Sequence, residues 1–113
     1  MDRRSDIVAV IPAYDAAASV GEVVAGVLEQ LTRVVVVSDG SRDDTARVAR
    51  AAGAEVEELP ANRGKGFALR RGIAIALSGG PEALVLLDAD AQHDPGDLPA
   101  LIDAWDRTRP ELV

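Results

Sequence analysis

The sequence predicts an α/β fold: a mostly parallel sheet of about four strands with helices on both faces. Three observations carry this reading. The runs Ile7 to Ile11, Val34 to Val37 and Ala83 to Leu87 are uniformly apolar, as expected of strands buried on both sides rather than half-exposed ones. Segments with helical spacing stand between them. Strands alternating with helices in units of this size call for parallel pairing through right-handed crossovers.

Taken in order, Ile7-Val8-Ala9-Val10-Ile11 is the first strand, ended at Pro12. Ser19-Val20-Gly21-Glu22 has the spacing of a capping box, in which serine and the glutamate three residues on satisfy free amides. It predicts a helix from about Ser19 to Leu31. Val34 to Val37 is the second strand, and Ser38-Asp39-Gly40-Ser41 is turn chemistry leading to a helix near Asp44 to Ala52 that Gly53 stops. Val56 and Leu59 among glutamates give a third, more exposed strand over Ala54 to Leu59, followed by a loop from Pro60 to Gly66. Phe67, Ile73, Ala74 and Leu77 mark the apolar face of a helix over Phe67 to Leu77, broken by Gly79-Gly80-Pro81. Ala83 to Leu87 is the fourth strand. After Pro95 a last helix is expected to about Arg107, with Leu98, Leu101, Ile102 and Trp105 on one side.

The composition narrows the function classes. A chain of 113 residues with 48% hydrophobic and 27% charged residues suits one domain over residues 1–113. Without cysteine there is neither a disulfide framework nor a thiolate metal site. The net charge is −7, and residues 81–113 account for most of it, with 8 acidic and 2 basic side chains. The only basic cluster is Arg63, Lys65, Arg70 and Arg71, so no nucleic-acid partner is expected. The longest apolar runs are five residues, against roughly 18 for a membrane span, and the N-terminus lacks a signal-peptide core. These features predict a cytoplasmic chain.

In parallel sheets ligands bind beyond the carboxyl ends of the strands. That is where Pro12-Ala13-Tyr14-Asp15, Ser38-Asp39-Gly40-Ser41 and Asp88-Ala89-Asp90 fall. Alternate residues of an extended segment project to opposite sides, so Asp88 and Asp90 can divide two tasks, one binding magnesium or manganese and the other sugar hydroxyls or ligand-supporting groups. Capping of the following turn is the other use open to them. Asp39 can accept hydrogen bonds from a nucleobase or ribose, or start the next helix through an Asx-turn. Asn62-Arg63-Gly64-Lys65-Gly66 has the look of a phosphate cradle but not the Walker spacing, which disfavours an ATPase. Its glycines also suit a tight turn.

Together and in order, Ile11-Pro12-Ala13-Tyr14-Asp15, Val37 to Thr45, Asn62 to Ala68 and Leu87 to Pro95 resemble the N-terminal, nucleotide-sugar-binding half of family 2 glycosyltransferases of the GT-A fold. The likeness is to the polyprenyl- and dolichyl-phosphate sugar synthases in particular. It implies a Rossmann-like half-domain and metal-dependent transfer of a sugar, with inversion, from a GDP- or UDP-sugar. A polyprenyl phosphate at the membrane surface is the acceptor it suggests, with the chain peripheral to that membrane. Carried onto this sequence, it places Pro12, Ala13, Tyr14, Asp15, Asp39, Lys65, Asp88, Ala89 and Asp90 around the donor, with Asp39 at the base and Asp88 and Asp90 as the DXD aspartates. Mg2+ or Mn2+ would be held by Asp88, Asp90 and Gln92. No general base is assigned. Two departures stand out: Asp15-Ala16 replaces the usual Asn-Glu, and Ser38 the first aspartate of Asp-Asp-Gly-Ser. Members of the family ordinarily continue well beyond this length, which suggests a truncated C-terminus. The alternative is a non-catalytic nucleotide-sugar or metal-binding fragment, completed by a partner chain or by self-association.

Overall fold

The computed structural model describes residues 7–89. Within them lie β1 (Ile7–Ala13), α1 (Val20–Leu28), β2 (Val34–Asp39), α2 (Thr45–Ala51), β3 (Glu55–Leu59), α3 (Lys65–Leu77) and β4 (Ala83–Leu86). The four strands form one parallel sheet in the order β3-β2-β1-β4, as the apolar runs predicted. The register sets Ile11 beside Val36, Val8 beside Leu84 and Val37 beside Glu57. From β1 to β3 the chain steps one way across the sheet, and from β3 to β4 it returns past β1. With a constant crossover hand, that reversal puts α3 on the opposite face from α1 and α2.

Side-chain alternation divides the core accordingly. Ile7, Ala9, Ile11 and Ala13 of β1, with Val34 and Val36 of β2, pack with Val20, Val23, Val24 and Val27 of α1 and Ala49 of α2. Val8 and Val10, with Val35 and Val37, pack with Ala68 and Ala76 of α3. Edge strand β3 has Glu55, Glu57 and Glu58 paired with Arg33, Arg71 and Arg50. Charge on an exposed edge opposes further strand pairing. The Arg33 and Arg71 guanidiniums hold the Glu55 and Glu57 carboxyls below their usual range.

Four sequence expectations are corrected. The first helix ends at Leu28 rather than Leu31. Its capping box does not form: Ser19 makes no capping bond, and its hydroxyl instead donates to the Ala89 carbonyl at 2.6 Å. The third helix begins at Lys65, so the loop before it stops at Gly64. Its buried face is Ala68, Gly72 and Ala76, while Phe67, Ala74 and Leu77 are exposed. The reason is steric. A Cβ on Gly72 would lie 2.5 Å from Val10 Cγ1 and 3.2 Å from Val37 Cγ2, so the sheet's valines supply the bulk and the helix the space. The expected last helix lies outside the described residues.

Candidate functional site

Beyond the carboxyl ends of β1, β2 and β4 lies an open cleft of about 360 Å³ lined by Pro12, Ala13, Tyr14, Ala16, Asp39, Asn62, Gly64, Lys65, Asp88 and Ala89. Its position follows from topology. The β1–β2 connection leaves on one face and the connection entering β4 arrives on the other, so the chain parts between β1 and β4 and leaves a crevice there.

One side of the cleft is the loop between β1 and α1. The turn that leads into α1 is braced by the loop after β2. The Ala16 N–H donates to Thr45 Oγ1 at 2.8 Å, Ala17 N–H to Asp43 Oδ2 at 3.2 Å, and Asp15 N–H to Ser41 Oγ at 3.0 Å. In return, Arg42 donates to Asp15 through its backbone at 2.7 Å and its guanidinium at 3.3 Å. Asp43 also accepts the Thr45 N–H at 3.0 Å and the Thr45 hydroxyl. These bonds, the hydroxyl first, hold its carboxyl below the ordinary value of 3.8. Thr45 is wholly buried. Asp15 sits at a φ of 47°, a left-handed conformation that aspartate tolerates better than most residues.

The other side is the loop before α3. Asp39 continues the alternation of Val35 and Val37 and so turns toward the α3 face of the sheet. Its Oδ1 accepts the Arg63 N–H at 2.7 Å and its Oδ2 the Gly64 N–H at 3.0 Å. Gly64, with φ of 96°, offers no capping side chain of its own. A carboxylate there also meets the positive end of a 13-residue helix. Asp39 therefore braces the two residues that lead into α3, while the Asx-turn that opens α2 belongs to Asp43. Between the two roles, Gly40 takes φ of 68°, where a Cβ would lie 2.3 Å from the Asn62 nitrogen. Across the cleft, Lys65 Nζ pairs with Asp88 Oδ1 at 2.5 Å.

Of the residues the sequence nominated, Pro12, Ala13, Tyr14, Asp39, Lys65, Asp88 and Ala89 come together on the cleft wall. Tyr14 is exposed there. Asp15 does not line the cleft; its carboxylate is engaged with Arg42. Asp90 and Gln92 lie outside the described residues. Sequence reasoning did not nominate Ala16, Asn62 and Gly64 as site residues; the last two stand inside the glycine-lysine motif, and Ala16 stood out only as a departure from the family's usual Asn-Glu. It also missed the bracing roles of Ser41, Asp43 and Thr45, for which a threonine following two aspartates at a helix start is the available signal. Among the described residues there is no cluster of three or more metal-ligating side chains, and no helix is long and apolar enough to cross a membrane. Among the described residues, the acidic group on the cleft wall at the end of β4 is Asp88, an oxygen donor of the kind magnesium and manganese prefer.

The family model for glycosyl transferase family 2 matches residues 8–113. The chain belongs to that family. It is 35% identical to an uncharacterised protein of Methanocaldococcus jannaschii over 109 residues, covering 91% of this chain and 45% of that protein. It is 39% identical to the succinoglycan biosynthesis protein ExoU of Rhizobium meliloti, covering 90% of this chain and 32% of that one. Among solved structures it is similar to the glucosyl-3-phosphoglycerate synthase of Mycobacterium tuberculosis in complex with Mn2+, UDP and glucosyl-3-phosphoglycerate. That likeness has a TM-score of 0.72 and 28% identity over 88% of this chain and 39% of that one. It also resembles the mannosyl-3-phosphoglycerate synthase of Rubrobacter xylanophilus, with a TM-score of 0.70 and 26% identity over 81% of this chain and 33% of that chain. This family 2 glycosyltransferase chain therefore has the GT-A fold of its neighbours as a half-domain, and spans less than half the length of these relatives.

Proposed function

We propose that residues 1–113 form the donor-binding unit of an inverting glycosyltransferase that moves a sugar from a UDP- or GDP-sugar to a phosphate-bearing acceptor. The observation that carries this is the convergence of Asp39, Lys65 and Asp88 on one cleft at the strand ends, with an exposed tyrosine beside them. Pro12, Ala13 and Tyr14 form the wall against which a base and ribose would rest. Asp39 has lone pairs left after accepting two amides, and these suit a base N–H. Lys65 is the cation nearest the place of a diphosphate. Asp88, with Asp90 and Gln92, would hold Mg2+ or Mn2+, and the bound ion would supply neutralisation of charge on the departing diphosphate. Support for the ion and nucleotide comes from the mycobacterial synthase crystallised with Mn2+ and UDP. An ionised lipid phosphate needs no general base, whereas a hydroxyl of a phosphorylated acid does. We place the reaction in the cytoplasm, at the membrane surface if the acceptor is a polyprenyl phosphate.

Calorimetric titration with UDP-glucose and GDP-mannose, with and without Mn2+, tests the reading. One donor is expected to bind in a metal-dependent way, and Asp90→Ala is expected to remove the metal-dependent part while circular dichroism stays unchanged. Donor affinity indifferent both to Mn2+ and to Asp90→Ala would overturn it.

A further inference from the structure

Lys65 and Asp88 come from opposite sides of the cleft, one from the first residue of α3 and the other from the segment after β4, and they meet across it at 2.5 Å. Neither position is accidental. The Asp39 carboxylate fixes the two amides just before Lys65, and the Ser19 hydroxyl fixes the carbonyl just after Asp88. Both backbones that carry the pair are thus anchored, while the lysine side chain remains mostly solvent-exposed. Such an ammonium can leave its partner at small cost, since exposed ion pairs contribute little to stability.

Resting on the donor-site reading above, we infer that Lys65 is an exchangeable counter-cation for Asp88, which disfavours binding of the divalent ion alone and moves to the diphosphate when nucleotide and ion enter together. The physical reason is charge. An ammonium in contact with a carboxylate oxygen repels a divalent ion approaching the same carboxylate. A nucleoside diphosphate brings several negative charges and gives the ammonium a better partner, releasing Asp88. Metal and nucleotide are then positively coupled through one lysine, and by linkage each raises the other's affinity by the same factor. Lys65 is a positioning residue here, acting on the metal through Asp88.

The test uses the full chain and two readouts. Mn2+ binding without nucleotide is followed by loss of the free-ion electron paramagnetic resonance signal, and UDP binding at saturating Mn2+ by calorimetry. Lys65→Met is expected to bind Mn2+ alone about two- to fivefold more tightly, the range an exposed ion pair allows, and to bind UDP more weakly. Lys65→Arg, which keeps the cation, is expected to restore the weak metal binding of the wild type. Opposite signs for metal and nucleotide are not what a damaged fold produces. Unchanged or weaker Mn2+ binding by Lys65→Met, in a series where the wild type binds UDP with Mn2+, overturns the exchange and leaves the donor site standing. A wild type that binds no UDP with Mn2+ overturns both.

Discussion

The two walls of the cleft are built from the same short segment after β2 but in different ways. Ser41 to Thr45 brace the β1–α1 wall through five hydrogen bonds that run in both directions and include a wholly buried threonine. On the α3 wall the bracing gathers on Asp39: both carboxylate oxygens accept amides, its backbone carbonyl accepts the Asn62 side-chain amide at 3.3 Å, and beyond it stands an exposed ion pair. The first wall is a lattice in which each bond has neighbours. The second is suspended from one buried residue. A lattice keeps its shape when a single member is lost, whereas a suspended wall fails at its one support and yields at its free end.

The sharpest way to break this contrast is Asp39→Ala, which strands the Arg63 and Gly64 amides. Hydrogen bonds to a charged group are worth about 1.5–3 kcal/mol, so we expect a loss of about 3 kcal/mol in urea unfolding together with loss of nucleotide binding. Thr45→Val removes the acceptor of the Ala16 N–H while keeping shape. Its neighbours in the lattice remain, so about 1–2 kcal/mol is expected, with Thr45→Ser recovering most of it. A stability loss for Thr45→Val as large as that for Asp39→Ala would erase the distinction between the walls.

A pH series probes the lattice more gently. The Asp43 carboxyl is held below 3.8 in the fold by its bonds to Thr45 and Ala17. Its stabilisation is therefore fully present above the unfolded value and lost as pH falls through the lower, folded one. The stability gap between wild type and Asp43→Asn should stay constant above about pH 5 and close as pH falls below 3.8. A gap that persists at pH 2.5 would show that the amides, not the charge, are what matters. Smallest of all, Lys65→Met should change unfolding stability by no more than about 0.5 kcal/mol, as befits an exposed pair at the free end of its wall.

The sheet was legible because β1 and β2 are buried on both faces, and uninterrupted valine and isoleucine runs have few other uses. Asp39's direction could be read from Val35 and Val37 by counting twos. The α3 face could not be read, because helical periodicity looks for large apolar residues and this helix buries alanine and glycine against valines that belong to the sheet. Phe67 and Leu77, which drew attention by size, face outward. The capping box at Ser19 failed for a related reason. The serine found a carbonyl 70 residues away, and the turn before the helix was braced by Asp43 and Thr45, partners that no local pattern could name. Seven of the nominated donor-site residues meet on the cleft wall because strand ends in a parallel sheet converge, while the Asp15 carboxylate is turned to bracing, accepting the backbone N–H and guanidinium of Arg42.

The strand order has a consequence for how the molecule comes into being. β1 emerges first from the ribosome yet pairs with β4, and the bond from Ser19 to Ala89 closes a separation of 70 residues. Contacts so distant form late, since the intervening chain must be ordered before they repay the entropy of closure. A nascent chain released as far as Leu77 can make a three-stranded sheet with both braces of Asp39 and Thr45 in place, and still have an open flank on β1 where the cleft will be. Among the described residues the cleft is thus the last feature to be assembled, completed at the moment the fourth strand arrives.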